Sequence, residues 1–417
     1  LNPQKPSIPG LGSRRAALQL LDAVLRRGQT LDAAAQKVVP DDKPLALAIA
    51  GETFRRLPEL DGLIDSATRQ RLPDDSKARM VLRLALAQKL ALSMPEHAIV
   101  ATALPLVDGG PRRLVHGVLG TLLRRGIEAS PAPALPEAVE QRWTLAWGES
   151  AVQAARRAIV RRPPLDLSFR DDALVDRFLE RAGGIRLAPR HVRIQDDRPV
   201  ADLPGYAEGH WWVQDLAASL PARLMPASPA RVLDLCAAPG GKTLQLAAAG
   251  HDLTALDQSE SRLARLRENL ARTRLSAKIV VADALRWTGE PFDAVLLDAP
   301  CSATATFRRH PEVLTRASPR IIAESAALQR RLLAHAAKLL RPGGTLVYAV
   351  CSLEPEEGER IIEGAPATLE TDPIRPDELP AGIVPDQRGW LRIPPGALEE
   401  QGGLDSFFIA RLVRTAA

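Results

Sequence analysis

Five short apolar runs, Val232 to Leu235, Leu253 to Leu256, Ile279 to Val281, Ala294 to Leu297 and Thr345 to Val350, alternate with segments whose apolar residues recur at helical spacing. The runs are too short for helices and carry no polar face, so each reads as a strand covered on both sides. Strands alternating with helices predict a parallel, doubly wound α/β sheet, in which ligands gather at the carboxyl ends of the strands. Those ends carry the chemistry here. Cys236 follows the first run, Asp257 the second and Asp283 the third; Asp298 and Cys301 follow the fourth and Cys351 the fifth, and these are the only 3 cysteines in the chain.

At 417 residues the chain exceeds what one core usually serves, so two or three domains are expected. Ser13 to Ile127 repeats apolar residues at helical spacing, as in Ala17, Leu18, Leu21, Val24 and Leu25 before Gly28, and reads as an all-helical bundle over 13–135. Pro131, Pro133 and Pro136 mark a linker, and 136–204 is a mixed stretch expected to form a small α+β connector. The catalytic sheet is expected over 205–417. Residues 1–12, rich in proline and lacking an initiator Met, are expected to be a flexible, trimmed start.

The net charge of +5 is unevenly placed: residues 1–135 hold 19 Lys+Arg against 13 Asp+Glu, leaving 36 against 37 in the remainder. A basic module beside a neutral one suggests a polyanion grip joined to an engine. Only 8 of the 55 basic residues are lysine, so arginine-rich composition accounts for the same excess equally well. Three cysteines make no disulfide framework and no long apolar run is present, so a soluble protein of a reducing compartment, the cytoplasm, is expected. The 7 histidines are scattered without metal-ligand spacing, and no metal is expected.

Val232-Leu233-Asp234-Leu235-Cys236-Ala237-Ala238-Pro239-Gly240-Gly241-Lys242-Thr243 is a strand, a glycine turn and a helix start. Glycine lets backbone approach a ligand, and a helix N-terminus offers unpaired N–H groups. Gly241-Lys242-Thr243 matches the end of a phosphate loop, but Cys236 stands where that motif requires its first glycine, which argues against a nucleoside triphosphate. A nucleoside-type cofactor instead needs an acid after the next strand to hold ribose hydroxyls, and Asp257 supplies it. Asp283 and Asp298 add carboxylates at two further strand ends.

Asp298-Ala299-Pro300-Cys301 stands where N-methylating enzymes commonly carry an Asp-Pro-Pro-Tyr-like tetrad. A thiol in place of the aromatic ring favours chemistry at a ring carbon. Cytosine C5 is a poor nucleophile until something adds to C6, and a thiolate is the side chain best able to add. Cys301 and Cys351 are both candidates, against the bland reading that small cysteines at strand ends are core residues.

Four blocks together resemble the RNA cytosine-C5 methyltransferases of the Nol/Nop/Sun group: Asp234 to Thr243, Asp298 to Ser302, Arg308-Arg309-His310-Pro311-Glu312, and Tyr348-Ala349-Val350-Cys351-Ser352-Leu353-Glu354-Pro355-Glu356-Glu357. The helical first third resembles the NusB-type RNA-binding fold, a pairing similar to bacterial 16S ribosomal RNA cytosine-C5 methyltransferases of the Sun/Fmu type. The resemblance implies that Cys351 is the nucleophile and that Cys301 helps release the product. It also implies an S-adenosylmethionine site built from Cys236, Ala237, Ala238, Pro239, Gly240, Gly241, Lys242, Asp257, Asp283 and Asp298. The implied partner is 16S ribosomal RNA or a small-subunit precursor, with no membrane. Many members read Ser-Gly-Thr-Gly after the Pro-Cys, whereas this chain reads Ser302-Ala303-Thr304-Ala305, which is expected to stiffen the loop around a flipped base.

In the expected reaction a cytidine leaves its stack, Cys351 adds to C6, Asp298 meets N3, and the methylated base is freed with the help of Cys301. Arg308 and Arg309 are expected to grip the RNA backbone. The rival from another class is a noncatalytic RNA-binding assembly or antitermination factor that keeps the scaffold, although such a protein has no physical need of two thiols at strand ends.

Overall fold

The computed structural model describes residues 8–196 and 198–415. It divides into two compact units, 1–162 with 307–318, and 163–306 with 319–417. This division differs from the boundaries read above. The stretch 136–204 is no separate connector: residues 136–162, with the helices Glu137–Trp147 and Glu149–Ile159, belong to the first unit, and 163–204 to the second. Of the expected flexible start, residues 1–7 lie outside the described residues, while Leu11 and Gly12 already open the helix Leu11–Leu25.

The first unit is helical throughout. Short polar residues start its helices: Ser76 Oγ accepts from Arg79 N at the head of Lys77–Leu90, and Thr30 Oγ1 from Ala33 N at the head of Leu31–Ala35. Leu20, Leu21, Ile49, Leu60, Leu82 and Leu86 are buried in its core. Its arginines are less available than their count implied. Arg79 and Arg83 are buried and meet Asp61 at 2.9 and 2.7 Å, with Arg79 also bonded to Asp65. Arg14 and Arg56 are buried too. Part of the basic excess is therefore internal structure rather than a surface for a polyanion. The segment 307–318 completes this unit: the Phe307 ring meets Trp143 tilted at 55° with centroids 5.6 Å apart, and Arg55 Nη1 donates to Arg308 O at 2.7 Å.

The second unit holds two sheets. The smaller has strands β1 (Leu165–Phe169), β2 (Ile185–Ala188), β3 (His191–Ile194) and β4 (Trp211–Val213), all antiparallel in the order β2-β3-β1-β4. Asp166 of β1 is buried there and takes Arg193 Nε and Nη2 at 2.6 and 2.7 Å. The larger sheet comprises β5 (Arg231–Leu235), β6 (Asp252–Asp257), β7 (Lys278–Val281), β8 (Phe292–Asp298), β9 (Leu340–Val350), β10 (Leu369–Thr371), β11 (Leu391–Ile393) and β12 (Phe407–Arg414). Its order is β10-β12-β9-β8-β5-β6-β7, with β11 paired to β12.

The strands β5 to β9 are parallel, as the alternation of the sequence predicts. Leu233, Leu235, Val295, Leu297 and Tyr348 face one core and Val232, Ala294, Leu296, Val347 and Ala349 the other, which is why these strands are apolar without alternation. The sheet is not parallel throughout: β12 runs antiparallel to β9, and β10 and β11 antiparallel to β12. The chain order reverses beside β5, which has β6 on one side and β8 on the other, so the crevice of this sheet opens at the ends of β5 and β8.

Candidate active site

The glycine turn after β5 is locked by its own backbone. Cys236 N and Ala237 N both donate to Leu256 O at 2.9 Å, and Cys236 takes a left-handed φ of 75°. Ala238 N donates to Asp257 Oδ2 at 3.1 Å, while Asp257 Oδ1 accepts from Ser259 N at 2.9 Å. Gly240 takes a φ of 109°, a conformation that residues with a side chain rarely adopt, and a Cβ there would also lie 2.3 Å from Leu266 Cδ1. Gly241 then opens the helix Gly241–Ala248, whose first internal bond runs from Leu244 N to Gly240 O. The amides ahead of Leu244 lie in the first turn, where a helix has no acceptor of its own for them.

A cavity of about 440 Å³ opens beside this turn, walled by Trp212, Gln214, Asp234, Gly240, Lys242 and Asp298, with Ala237, Pro239 and Gly241 also lining it. Lys242 Nζ lies 2.6 Å from Asp298 Oδ2. Asp257 and Asp283 end the neighbouring strands but do not line the cavity, and Asp283 caps its own turn by accepting from Leu285 N at 2.9 Å. Thr243 Oγ1 donates to Asp234 Oδ2 at 2.6 Å. The Lys and Thr of the phosphate-loop-like triplet are thus both engaged with carboxylates, which disfavours the triphosphate reading.

Asp234 is a site residue that the sequence reading passed over. Its Oδ1 is buried with no hydrogen-bond partner, although the residue lines the cavity. Burial, aided by Asp298 and Asp257, pushes its pKa up to about 7. A buried acceptor lacking a donor is costly until a ligand supplies one. The methionine part of S-adenosylmethionine ends in an ammonium and a carboxylate, which match this acceptor and the free amides of the helix start. The residues present therefore fit that cofactor.

Cys301 and Cys351 follow β8 and β9, which are hydrogen-bonded neighbours, and the backbone holds them in step through Ala299 N to Ala349 O at 2.9 Å and Ala305 N to Cys351 O at 3.2 Å. The two Sγ atoms are 3.5 Å apart and both residues are half-buried. The bond to Cys351, and then burial, push the Cys301 thiol well above its usual range. Neither sulfur lines the 440 Å³ cavity; Asp298, three residues before Cys301, does. Burial likewise pushes the Cys236 thiol up, well away from reactivity.

The loop after Cys301 departs from expectation in an informative way. Ala303 holds a left-handed φ of 58°, the conformation for which glycine is suited, and Ala305 is fully buried. The expected phosphate grip is not what Arg308 provides. It is 3% exposed, within the segment that belongs to the helical unit, whereas Arg309 and His310 are half-buried.

Comparison with known proteins places these features. A model described as 16S rRNA methyltransferase RsmB/F matches residues 221–413, and one of the NusB family matches residues 12–124. The ribosomal RNA small subunit methyltransferase B of Xylella fastidiosa is 35% identical over 97% of this chain and 98% of its own length. That of Klebsiella pneumoniae is 34% identical over 96% and 98%. A solved methyltransferase homolog protein from Pyrococcus horikoshii superposes with a TM-score of 0.57 at 26% identity, covering 71% of this chain and 98% of that one. With relatives of this identity along nearly its whole length, the chain belongs to the S-adenosylmethionine-dependent 16S rRNA methyltransferase RsmB/F family and carries a NusB-family helical domain ahead of the catalytic sheet.

Proposed function

We propose that this enzyme methylates C5 of a cytidine in 16S ribosomal RNA through a transient bond between Cys351 Sγ and C6 of the base. The observation that carries the reading is the pair of thiols 3.5 Å apart at adjacent strand ends, one of them three residues after Asp298, which lines the cavity. A noncatalytic scaffold gains nothing from holding two sulfurs at that distance.

The target base must leave its stack, because C5 and C6 are shielded within a helix. Cys351 adds to C6 as a thiolate, and the C5–C6 electron pair moves into the ring. Cys301, whose thiol is pushed up by its contact with Cys351 and by burial, would present its S–H to Cys351 Sγ 3.5 Å away. Asp298, bonded to Lys242 Nζ at 2.6 Å, would meet N3 of the base, and the lysine beside it would offset the negative charge that grows there. Residues 237 and 239–242 with Asp234 and Asp298 line the cavity that would hold S-adenosylmethionine, while Asp257 and Asp283 stand at the ends of the neighbouring strands; the bound cofactor would supply an electrophilic methyl group for the activated C5. Loss of the C5 proton restores the double bond and expels Cys351 as thiolate, with Cys301 assisting. The NusB-family domain would hold the RNA, and thiol chemistry of this kind is suited to a reducing compartment, the cytoplasm.

Cys351→Ala tests the reading directly. It should abolish methyl transfer to unmodified small-subunit RNA, and retained activity would refute Cys351 as nucleophile. Cys301→Ala should still add to the base and accumulate a protein–RNA adduct that survives denaturing detergent.

A further inference from the structure

Glu357 is fully buried, six residues beyond the nucleophile, and its carboxylate is where the two cysteine loops meet. Its Oε1 accepts from Ser302 N at 2.8 Å and from Gln329 Nε2 at 3.3 Å; its Oε2 accepts from Ser302 Oγ and Ser352 Oγ. Ser302 directly follows Cys301, and Ser352 directly follows Cys351. Gln329 Nε2 also donates to Pro300 O at 2.9 Å, on the other side of Cys301. The buried Tyr348 hydroxyl donates to Glu357 O at 2.6 Å, which fixes the backbone that carries the carboxylate.

A buried carboxylate is an expensive way to join two loops. Burial pushes the Glu357 carboxyl up, against the pull of the hydroxyl and amide donors around it. What it provides is an acceptor with no donor of its own, so both serine hydroxyls must point at it and neither can turn away. With one serine tied on each side, a single group adds a side-chain tie beside the two sulfurs to the backbone bonds that hold the strand ends in step.

We propose that Glu357 is a positioning residue that fixes the separation of Cys301 and Cys351, and so governs the handover from addition of Cys351 to its release. This rests on the covalent reading above. A displacement of about 1 Å at reacting atoms costs on the order of 10²-fold in rate. Loosening the clamp should therefore slow release by about that factor, while the rest of the site stays folded.

Glu357→Gln keeps the size but turns one acceptor into an NH₂ group, so at least one serine loses its partner. Ser302→Ala, in a half-exposed loop, removes the hydroxyl tie on the Cys301 side while Ser302 N keeps its bond to Glu357, and Ser352→Ala removes the hydroxyl tie on the Cys351 side. Each variant is incubated with RNA and S-adenosylmethionine. Detergent-stable adduct is then measured per methyl group transferred, with thermal response to S-adenosylhomocysteine as the check on folding. E357Q and S302A should raise that ratio toward the level of Cys301→Ala, and S352A should form less adduct than wild type. In the C301A background E357Q should raise the ratio no further. If C301A accumulates adduct but E357Q and S302A match wild type, or if adduct, turnover and cofactor response all fall together, the clamp is refuted while the covalent mechanism stands. If C301A itself gives no adduct, the covalent mechanism fails and the clamp with it.

Discussion

Replacing Asp234 with Asn asks whether the cavity wall holds a carboxyl that is neutral in the folded protein. Burial raises this pKa from 3.8 to about 7, with Asp298 and Asp257 adding to the effect and Thr243 and Lys242 opposing it. The unfolded chain gives up the proton near the ordinary value, whereas the native state keeps it for about three further units. The group's contribution to stability is therefore complete below the unfolded pKa and is lost as pH rises through about 7. At ~1.4 kcal/mol per unit, the part lost between about pH 5.5 and about pH 8.5 is roughly 2 kcal/mol. The amide in D234N cannot ionise, so the variant does not suffer that loss. Urea denaturation of both proteins at both pH values isolates the effect, because any constant cost of the amide and every other titrating group cancel in the difference of differences. The gap should move by about 2 kcal/mol in favour of the variant at the higher pH. Parallel pH profiles would show that Asp234 is ionised in the native state and that the account of its buried oxygen is wrong.

Ala303→Gly should stabilise the protein by about 0.5 to 1 kcal/mol, because relief of the left-handed conformation exceeds the added freedom of the unfolded chain; an unchanged or lower melting temperature would count against strain in this loop. Asp166→Asn should cost about 3 to 5 kcal/mol by leaving Arg193 buried beside a neutral group, as read from its urea midpoint. S-adenosylhomocysteine at about 100 times its dissociation constant should add about 2.7 kcal/mol of stability, whereas ATP should add none. A response to ATP would restore the phosphate-loop reading of Gly241-Lys242-Thr243.

The parallel core was legible because its strands are buried on both faces, so Val232 to Leu235 and Ala294 to Leu297 carry no competing period. Strand β12, Phe407 to Arg414, was not, since its pairing partner in β9 lies far back in the chain and no local signal fixes an antiparallel neighbour. The two cysteines and Asp298 stood out by their place at strand ends, and the structure brings the sulfurs together. Asp234 escaped notice because it sits inside an apolar strand, where only the fold shows that one of its buried oxygens lacks a donor. Glu357 lay within a quoted block, yet its partners Ser302 and Gln329 are distant in sequence. Arg79, Arg83 and Arg308 read as surface charge, because composition does not distinguish an arginine facing solvent from one enclosed by aspartates or packed inside a helical unit.

The return of Phe307 to Ser318 to the helical unit has a consequence for how this molecule can be taken apart. A single cut after Arg162 would not release two intact halves: the amino-terminal fragment would lose the ring that covers Trp143, and the carboxy-terminal fragment would keep Phe307, Val313 and Leu314 without the helices that shelter them. Gene-level exchange of the NusB-type portion would meet the same obstacle, so its side chains and the excursion after the Cys301 loop are bound to change as a set.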